Sequence, residues 1–338
     1  MKKNIEISII IPCYNAQQDI ATCIEAIKKS SYKNYEIICV NDCSKDDTCR
    51  IALSYDNVRI LNNKTNCGAA CARNKGVRTA KGKIVIFIDS DILIMKDTLK
   101  KIHDKIIKEK KDAVVGIYST KHYNKGAATN YKNLHIHYTY SIMPPDINIA
   151  NSSCLAIRKE AFNKIGGFDE NITGYSSEDW DLGQKMASAG YTVYLDKSLQ
   201  IIHMKNFCLS NILKTDAIKA CSQVKMLMRS RKRKKKIMSV KRVGSIPWYI
   251  FASAPLVFLI LASLIISLST MSMVPVYLLI AFIAAYLVVN SSFFLFLWRE
   301  KGLVFFLQSI GIYYLNIWSM IFGGIKGFTD YFILHKRY

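Results

Sequence analysis

The chain has 338 residues, enough for one sizeable domain with an appendage, and carries a formal net charge of +22 from 47 Lys and Arg against 25 Asp and Glu. Much of the basic excess lies between Lys214 and Arg242, no acidic residue occurs from Ala217 to Arg299, and apolar residues dominate from Pro247 onward. A basic block beside apolar segments selects an anionic membrane surface over nucleic acid as the partner.

The ten cysteines include no C-x-x-C pair and several fall inside predicted strands and helices, so all ten are expected to be free thiols in a reducing compartment. The opening MKKNIEISIIIP is too short an apolar run for a signal peptide. The N-terminal part is therefore expected on the cytoplasmic side, and the sequons at Asn63, Asn151 and Asn171 are chance matches.

Ile5 to Ile11, stopped by Pro12, predicts a first strand, and Ile20, Cys23, Ile24 and Ile27 predict an amphipathic helix over Ala16 to Ser30. Tyr35 to Val40 predicts a second strand. Ser44 and Asp47 have the spacing of a capping box opening a helix. Asn57 to Leu61 reads as a third strand, Gly68 to Thr79 as a helix, and Ile84 to Ile88 as a fourth strand. That last run is apolar throughout, like a parallel strand buried on both faces. The alternation predicts an α/β fold with a doubly wound, mostly parallel sheet.

Ile88 is followed by Asp89-Ser90-Asp91. Two carboxylates at the C-terminal end of a buried strand are unfavourable without a cation, and open α/β sheets bind ligands at that end. Two apart in extended chain, both can face one divalent metal with hard oxygen ligands. A pair of turn caps explains the same acids, and D-x-D alone does not decide. Pro12, Tyr14 and Asn15 end the first strand, and Asn41 and Asp42 the second. In such a sheet they line one crevice with Asp89 and Asp91. There Asp42 would accept from a pyrimidine N–H, Tyr14 would stack on the base and Arg73 would meet base or phosphate. Singly, Asn41 and Asp42 read equally as turn formers.

SIIIPCYN, IICVNDCSKDDT, NCGAACARNKG, IVIFIDSD, IGGFDE and SSEDWDL occur in the order seen in family 2 glycosyltransferases of the GT-A fold, which the chain resembles over about residues 5 to 205. The resemblance implies a nucleotide diphosphate sugar donor, UDP-sugar favoured and GDP-sugar the alternative, held by Pro12, Tyr14, Asn15, Asp42, Arg73 and Asp89. It implies Mn2+ or Mg2+ on Asp89 and Asp91, with His203 either a third ligand or a structural residue, and Lys205 near the leaving diphosphate. Asp179 maps onto the base that deprotonates the acceptor hydroxyl in an inverting transfer, and Glu178 and Trp180 onto the acceptor pocket. Two departures bear on the donor: Asn41 stands where the family usually has Asp, and Cys43 replaces Gly. Among rivals, a processive polysaccharide synthase would carry Q-x-x-R-W and a nucleotidyltransferase G-x-G-T-R after the first strand, and both elements are missing. A catalytically idle membrane-associated partner is the reading from another class, and retention of Asp89, Asp91 and Asp179 argues against it.

Ser119 to Asn151 is rich in Tyr, His, Asn and Lys and reads as a solvated loop, with no chemistry assigned to His135 or His137. Two closing strands are expected at Tyr191 to Leu195 and Ser198 to Ile202. Cys208 to Met228 is an amphipathic helix running into the basic Arg229 to Lys236, as at a membrane interface. Trp248 to Thr270 and Val274 to Trp298 are each long enough to span a bilayer, and Leu303 to Phe322 is a weaker third span. Basic flanks place both ends of the first pair on the cytoplasmic side. The expected organisation is a glycosyltransferase domain over 1–207, a basic membrane-surface segment over 208–245, two or three membrane helices over 246–325 and a basic tail over 326–338. The whole would be a multi-pass cell-membrane protein acting on a lipid-linked glycan or polyprenyl phosphate.

Overall fold

The computed structural model describes residues 5–121, 123–172, 177–232, 247–270 and 272–336. The side chains of the basic run Arg229 to Lys236, Arg242, and residues 174–176 ahead of Ser177 lie outside the described residues. The chain divides into two compact units, one from Met1–Lys125 with Tyr140–Asn206, the other from Gly126–Thr139 with Phe207–Arg337.

The first unit follows the order β1 (Ile7–Cys13), α1 (Ile20–Lys28), β2 (Tyr35–Asn41), α2 (Thr48–Leu53), β3 (Val58–Asn62), α3 (Gly68–Thr79), β4 (Ile84–Ile88), β5 (Ile92–Ile94), α4 (Thr98–Ile107) and β6 (Ala113–Tyr118). After α5 (Ala127–Ser141) come β7 (Asp146–Ile147), β8 (Cys154–Arg158), α6 (Lys159–Lys164), α7 (Ser177–Ser188) and β9 (Val193–His203). Among the described residues these strands make one nine-stranded sheet, ordered β3-β2-β1-β4-β8-β6-β9-β5 with β7 on β9. Pairing is parallel from β3 to β4. β8 runs antiparallel to both β4 and β6, and β6 runs parallel to β9. This is the α/β architecture expected, with parallel strands at its N-terminal half. Every residue of β4 is buried, and each such Ile, Val or Phe contributes roughly 1.5–3 kcal/mol. Phe87 extends this core to Phe162 and Phe168, with ring centroids 5.5 and 5.3 Å away.

Three expectations for this unit change. The two closing strands are one, β9, because Asp196 to Ser198 stays within the strand and the irregularity is taken up instead in its pairing with β6, between Val115 and Ile117. The capping box at Ser44 does not form: α2 begins at Thr48, whose N–H is taken by Asp46 Oδ1 at 3.1 Å, while Ser44 Oγ accepts from the Asn15 N–H at 3.1 Å. The ten cysteines are not all thiols. Cys67 and Cys71 are joined by a disulfide, since four residues' separation at the start of α3 brings their Cα atoms to 5.8 Å, inside disulfide range.

The second unit corrects the stretch read as a solvated loop. Ala127–Ser141 is a helix, and Tyr131, Leu134, His135 and Tyr138 are buried at i, i+3, i+4 and i+7. Residues Thr129 to His135 are all buried and mostly polar or aromatic, so no one-sided apolar period marks the helix. With it come α8 (Leu209–Lys232), α9 (Trp248–Ser269), α10 (Val274–Val289) and α11 (Ser291–Phe332), the last broken at Gly302, whose φ is +82°. Among the described residues two helices, α9 and α11, are long and apolar enough to cross a membrane, whereas α10 has 16 residues. The second apolar stretch is thus divided, not continuous. Its break is Asn290, buried, with its amide donating to Ser253 Oγ and to the Tyr286 carbonyl, both at 2.8 Å. Helix α11 continues through Lys326 to Phe332, into the expected tail. Side chains at Gly323 and Gly327 would collide with the α8 backbone at Ala217 and Cys221, so these glycines let the two helices approach closely.

Candidate active site

The C-terminal ends of β1, β2 and β4 bring the predicted donor residues to one edge of the sheet, because β1 pairs in parallel with both neighbours. Tyr14 follows β1 and is 49% exposed. Asn15 has a positive φ of 49°, and its Oδ1 accepts from the Lys45 N–H at 2.8 Å, tying this turn to the one after β2. Asp42 is buried. Its Oδ1 accepts from the Cys67 N–H at 3.0 Å and from Asn63 Nδ2 at 2.7 Å, and its Oδ2 from the Gly68 N–H at 2.8 Å. The first amides of α3 therefore fix this carboxylate, as a helix N-terminus does for an anion.

Arg73, one and a half turns into α3, is only 3% exposed. Its guanidinium donates to Asp89 Oδ1 at 2.8 Å and to Glu178 Oε1 at 3.4 Å, and lies 5.5 Å from the centre of the Phe168 ring. Phe168 is anchored in turn by Asn74, which exchanges hydrogen bonds with its backbone. The arginine expected to face base or phosphate instead bridges two of the predicted acids.

Asp91 meets His203 because β5 pairs antiparallel with β9 in a register that sets Ile92 opposite His203. His203 Nε2 is 3.3 Å from Asp91 Oδ2, and the Met204 N–H donates to the Asp91 carbonyl at 2.8 Å. Burial pushes the Asp91 carboxyl up, but the hydrogen bond and charge of His203, with the charge of Lys205, outweigh it and leave it below the usual range. Of the two expected ions, a carboxylate with an imidazole suits Mn2+ better than Mg2+, which prefers oxygen ligands alone. Asp89 is turned to Arg73, and among the described residues no three His, Cys, Asp or Glu side chains converge on one metal position. Asp91 and His203 are the two side chains placed close enough to share a cation, and Asp89, bonded to Arg73, is not among them.

Helix α7 opens with Glu178 and Asp179, acids that its N-terminal dipole favours, followed by Trp180. Gly183 has no room for a Cβ against Asn148 and Ile149, so the helix start is pinned to that backbone, and the Ala150 N–H donates to the Asp179 carbonyl at 3.1 Å. Asp179 is 8% exposed, and among the described residues its Oδ1 has no partner. Burial raises its pKa to about 7, reinforced by Glu178 and opposed by Arg73 and a hydrogen bond from Ser152. Trp180 is buried beside it in sequence. Sequence reasoning missed Ser152 and Asn63, polar residues in loops without period. Phe168 was within reach, as the aromatic of the quoted IGGFDE.

Residues 8–166 match the model for glycosyl transferase family 2. Over that stretch, a little under half of its length, the chain is similar to family 2 glycosyltransferases. Residues 136–207 also match the model described as the N-terminal domain of galactosyltransferase. An uncharacterized glycosyltransferase of Haemophilus influenzae is 33% identical over 190 residues, 53% of this chain and 61% of that protein. The glycosyltransferase GlyG of Streptococcus pneumoniae is 34% identical over 116 residues, 33% of this chain and 38% of that protein. The chain thus spans less than two thirds of the length of these relatives. The mannosyltransferase PcManGT of Pyrobaculum calidifontis, solved with GDP-Man and Mn2+, superimposes with a TM-score of 0.61 at 18% identity, covering 96% of this chain and 87% of that one. That likeness shows the GT-A fold.

Proposed function

We propose that this chain is a membrane-anchored glycosyltransferase that moves a sugar, with inversion, from a nucleotide diphosphate sugar to a membrane-proximal acceptor on the cytoplasmic side. The observation that carries the reading is Asp179: buried, with one carboxylate oxygen unpartnered among the described residues and a pKa raised to about 7, it suits a general base working near neutral pH. Asp42 and Tyr14 flank the place of the nucleotide base, and Pro12 and Asn15 shape the turn beside it. Arg73 positions Asp89 and Glu178. Asp91 and His203 would hold a divalent metal, which when bound would neutralise charge on the leaving diphosphate. The acceptor oxygen bonds to the anomeric carbon, the bond from that carbon to the diphosphate oxygen breaks, and the acceptor proton passes to Asp179. Glu178 and Trp180 border the acceptor. PcManGT, with GDP-Man and Mn2+ bound, supports a nucleotide sugar donor and a divalent ion of this class.

Membrane anchoring is supported by α9 and α11, and by the exposure of large apolar residues such as Phe251, Ile265 and Val288 on α9 and α10. A lipid-linked glycan or polyprenyl phosphate is the acceptor class that such a placement favours. The test compares donor affinity and turnover for wild type and Asp179→Asn across pH. On a hydroxyl acceptor, turnover should rise with pH through about 7, as the base ionises, and fall 10²–10⁴-fold in Asp179→Asn with donor affinity nearly unchanged. A phosphate acceptor, already ionised, should show a smaller fall. Unchanged turnover on a hydroxyl acceptor would move the base elsewhere.

A further inference from the structure

We propose that Cys67 and Cys71 form a reversible thiol–disulfide pair, a modification site that sets how firmly the start of α3 holds Asp42. The proposal deepens, and rests on, the reading of Asp42 as a donor-nucleotide residue. Cys67 sits at the hinge of the arrangement: its N–H and that of Gly68 each hold one oxygen of Asp42, at 3.0 and 2.8 Å. Asn63 Nδ2, which holds the same carboxylate, is also 3.0 Å from Cys67 Sγ. Gly68 has a φ of +87°, a conformation an L side chain rarely adopts, so the chain enters the helix through a turn that the adjoining residues must keep in place. The bond to Cys71, one turn along, does this by closing a ring over the turn. Cys67 is exposed and Cys71 partly so, hence small reagents reach both sulfurs. On the cytoplasmic side a disulfide of this kind is more often transient and regulatory than structural.

The oxidant is a low-molecular-weight disulfide such as glutathione disulfide. The Cys67 thiolate attacks one of its sulfurs and expels the first thiolate. The Cys71 thiolate then attacks the Cys67 sulfur of the mixed disulfide and expels the second. Two protein thiols lose two protons and two electrons, and one small disulfide becomes two small thiols. Reduction runs the same exchange backward and releases the turn. The Cys67 and Gly68 amides then hold Asp42 less often, and a nucleotide that needs the carboxylate in place binds more weakly. A hydrogen bond to a charged group is involved, so about tenfold is the size expected.

The experiment uses the full chain in detergent micelles, equilibrated with a series of reduced to oxidised glutathione ratios. Differential alkylation read by mass spectrometry follows the pair, hydrogen exchange follows the Cys67 and Gly68 amides, and calorimetry follows uridine and guanosine diphosphate. The expected result is a Cys67–Cys71 disulfide that opens and closes with the ratio, amides exchanging at least tenfold faster when it is open, and nucleotide affinity about tenfold lower. Cys71→Ser and Cys71→Ala should give the reduced-state exchange at every ratio. A pair that stays dithiol throughout, or equal amide exchange in both states, would overturn the proposal. If exchange responds but neither nucleotide binds in either state, the thiol pair stands and the donor-site reading fails.

Discussion

A buried guanidinium holding two carboxylates is worth little until one partner is lost. Arg73 is in that position between Asp89 and Glu178. Arg73→Met should destabilise the sheet unit by about 3 kcal/mol, the low end for a broken buried pair because Asp89 and Glu178 keep some solvent. The same change removes a positive charge that lowers the Asp179 pKa, so the midpoint of the pH–rate profile should move above 7. Urea unfolding and the profile check the two parts, and Glu178→Gln added to Arg73→Met should recover part of the stability. At this scale the acids were legible: Asp89, Asp91 and Asp179 stand where strand-end and helix-start chemistry put them. Their partners were not. Ser152, Asn63 and the arginine bridge depend on which loops meet, and a polar residue in a loop carries no period from which that can be read.

Among elements, β1, β2 and β4 were legible because each is a short, nearly continuous apolar run, and α1 because Ile20, Cys23, Ile24 and Ile27 fall on one helical face. Helix α5 was not, since Lys132, His135 and two tyrosines occupy its buried face. Lys132 there pairs with Asp216 of α8, both buried. Asp216→Asn should cost about 3–5 kcal/mol, since it strands a buried lysine, whereas an apolar pair at both positions should be near neutral. His135 adds a pH dependence. Burial, with repulsion from Lys132, lowers its pKa to about 4, so it folds neutral. Its contribution is present above the ordinary value of 6.5 and is lost as pH falls toward 4, on the order of 3 kcal/mol in all. Thermal unfolding in detergent at pH 7 and pH 4.5 should show that loss, and His135→Gln should shrink it. An equal loss in both proteins would place the titrating group elsewhere.

For the molecule as a whole, composition set the basic and apolar C-terminal third apart, but it did not show that residues 126–139 belong to the same unit. The break at Asn290 was not visible, because one polar residue inside an apolar stretch looks like any other until its amide is seen bonded to Ser253 and Tyr286. Both parts are needed if the acceptor lies in a bilayer, and this leads to one decisive measurement. The full chain is reconstituted in vesicles of a membrane lipid extract, and sugar-labelled UDP- and GDP-sugars are supplied with Mn2+ or Mg2+. Label entering the lipid phase is identified by mass. The account predicts a product heavier than its lipid precursor by one sugar residue, formed from at least one donor and lost in excess chelator and in Asp91→Asn. Failure of every donor to label lipid, or undiminished labelling in chelator and in Asp91→Asn, would contradict it.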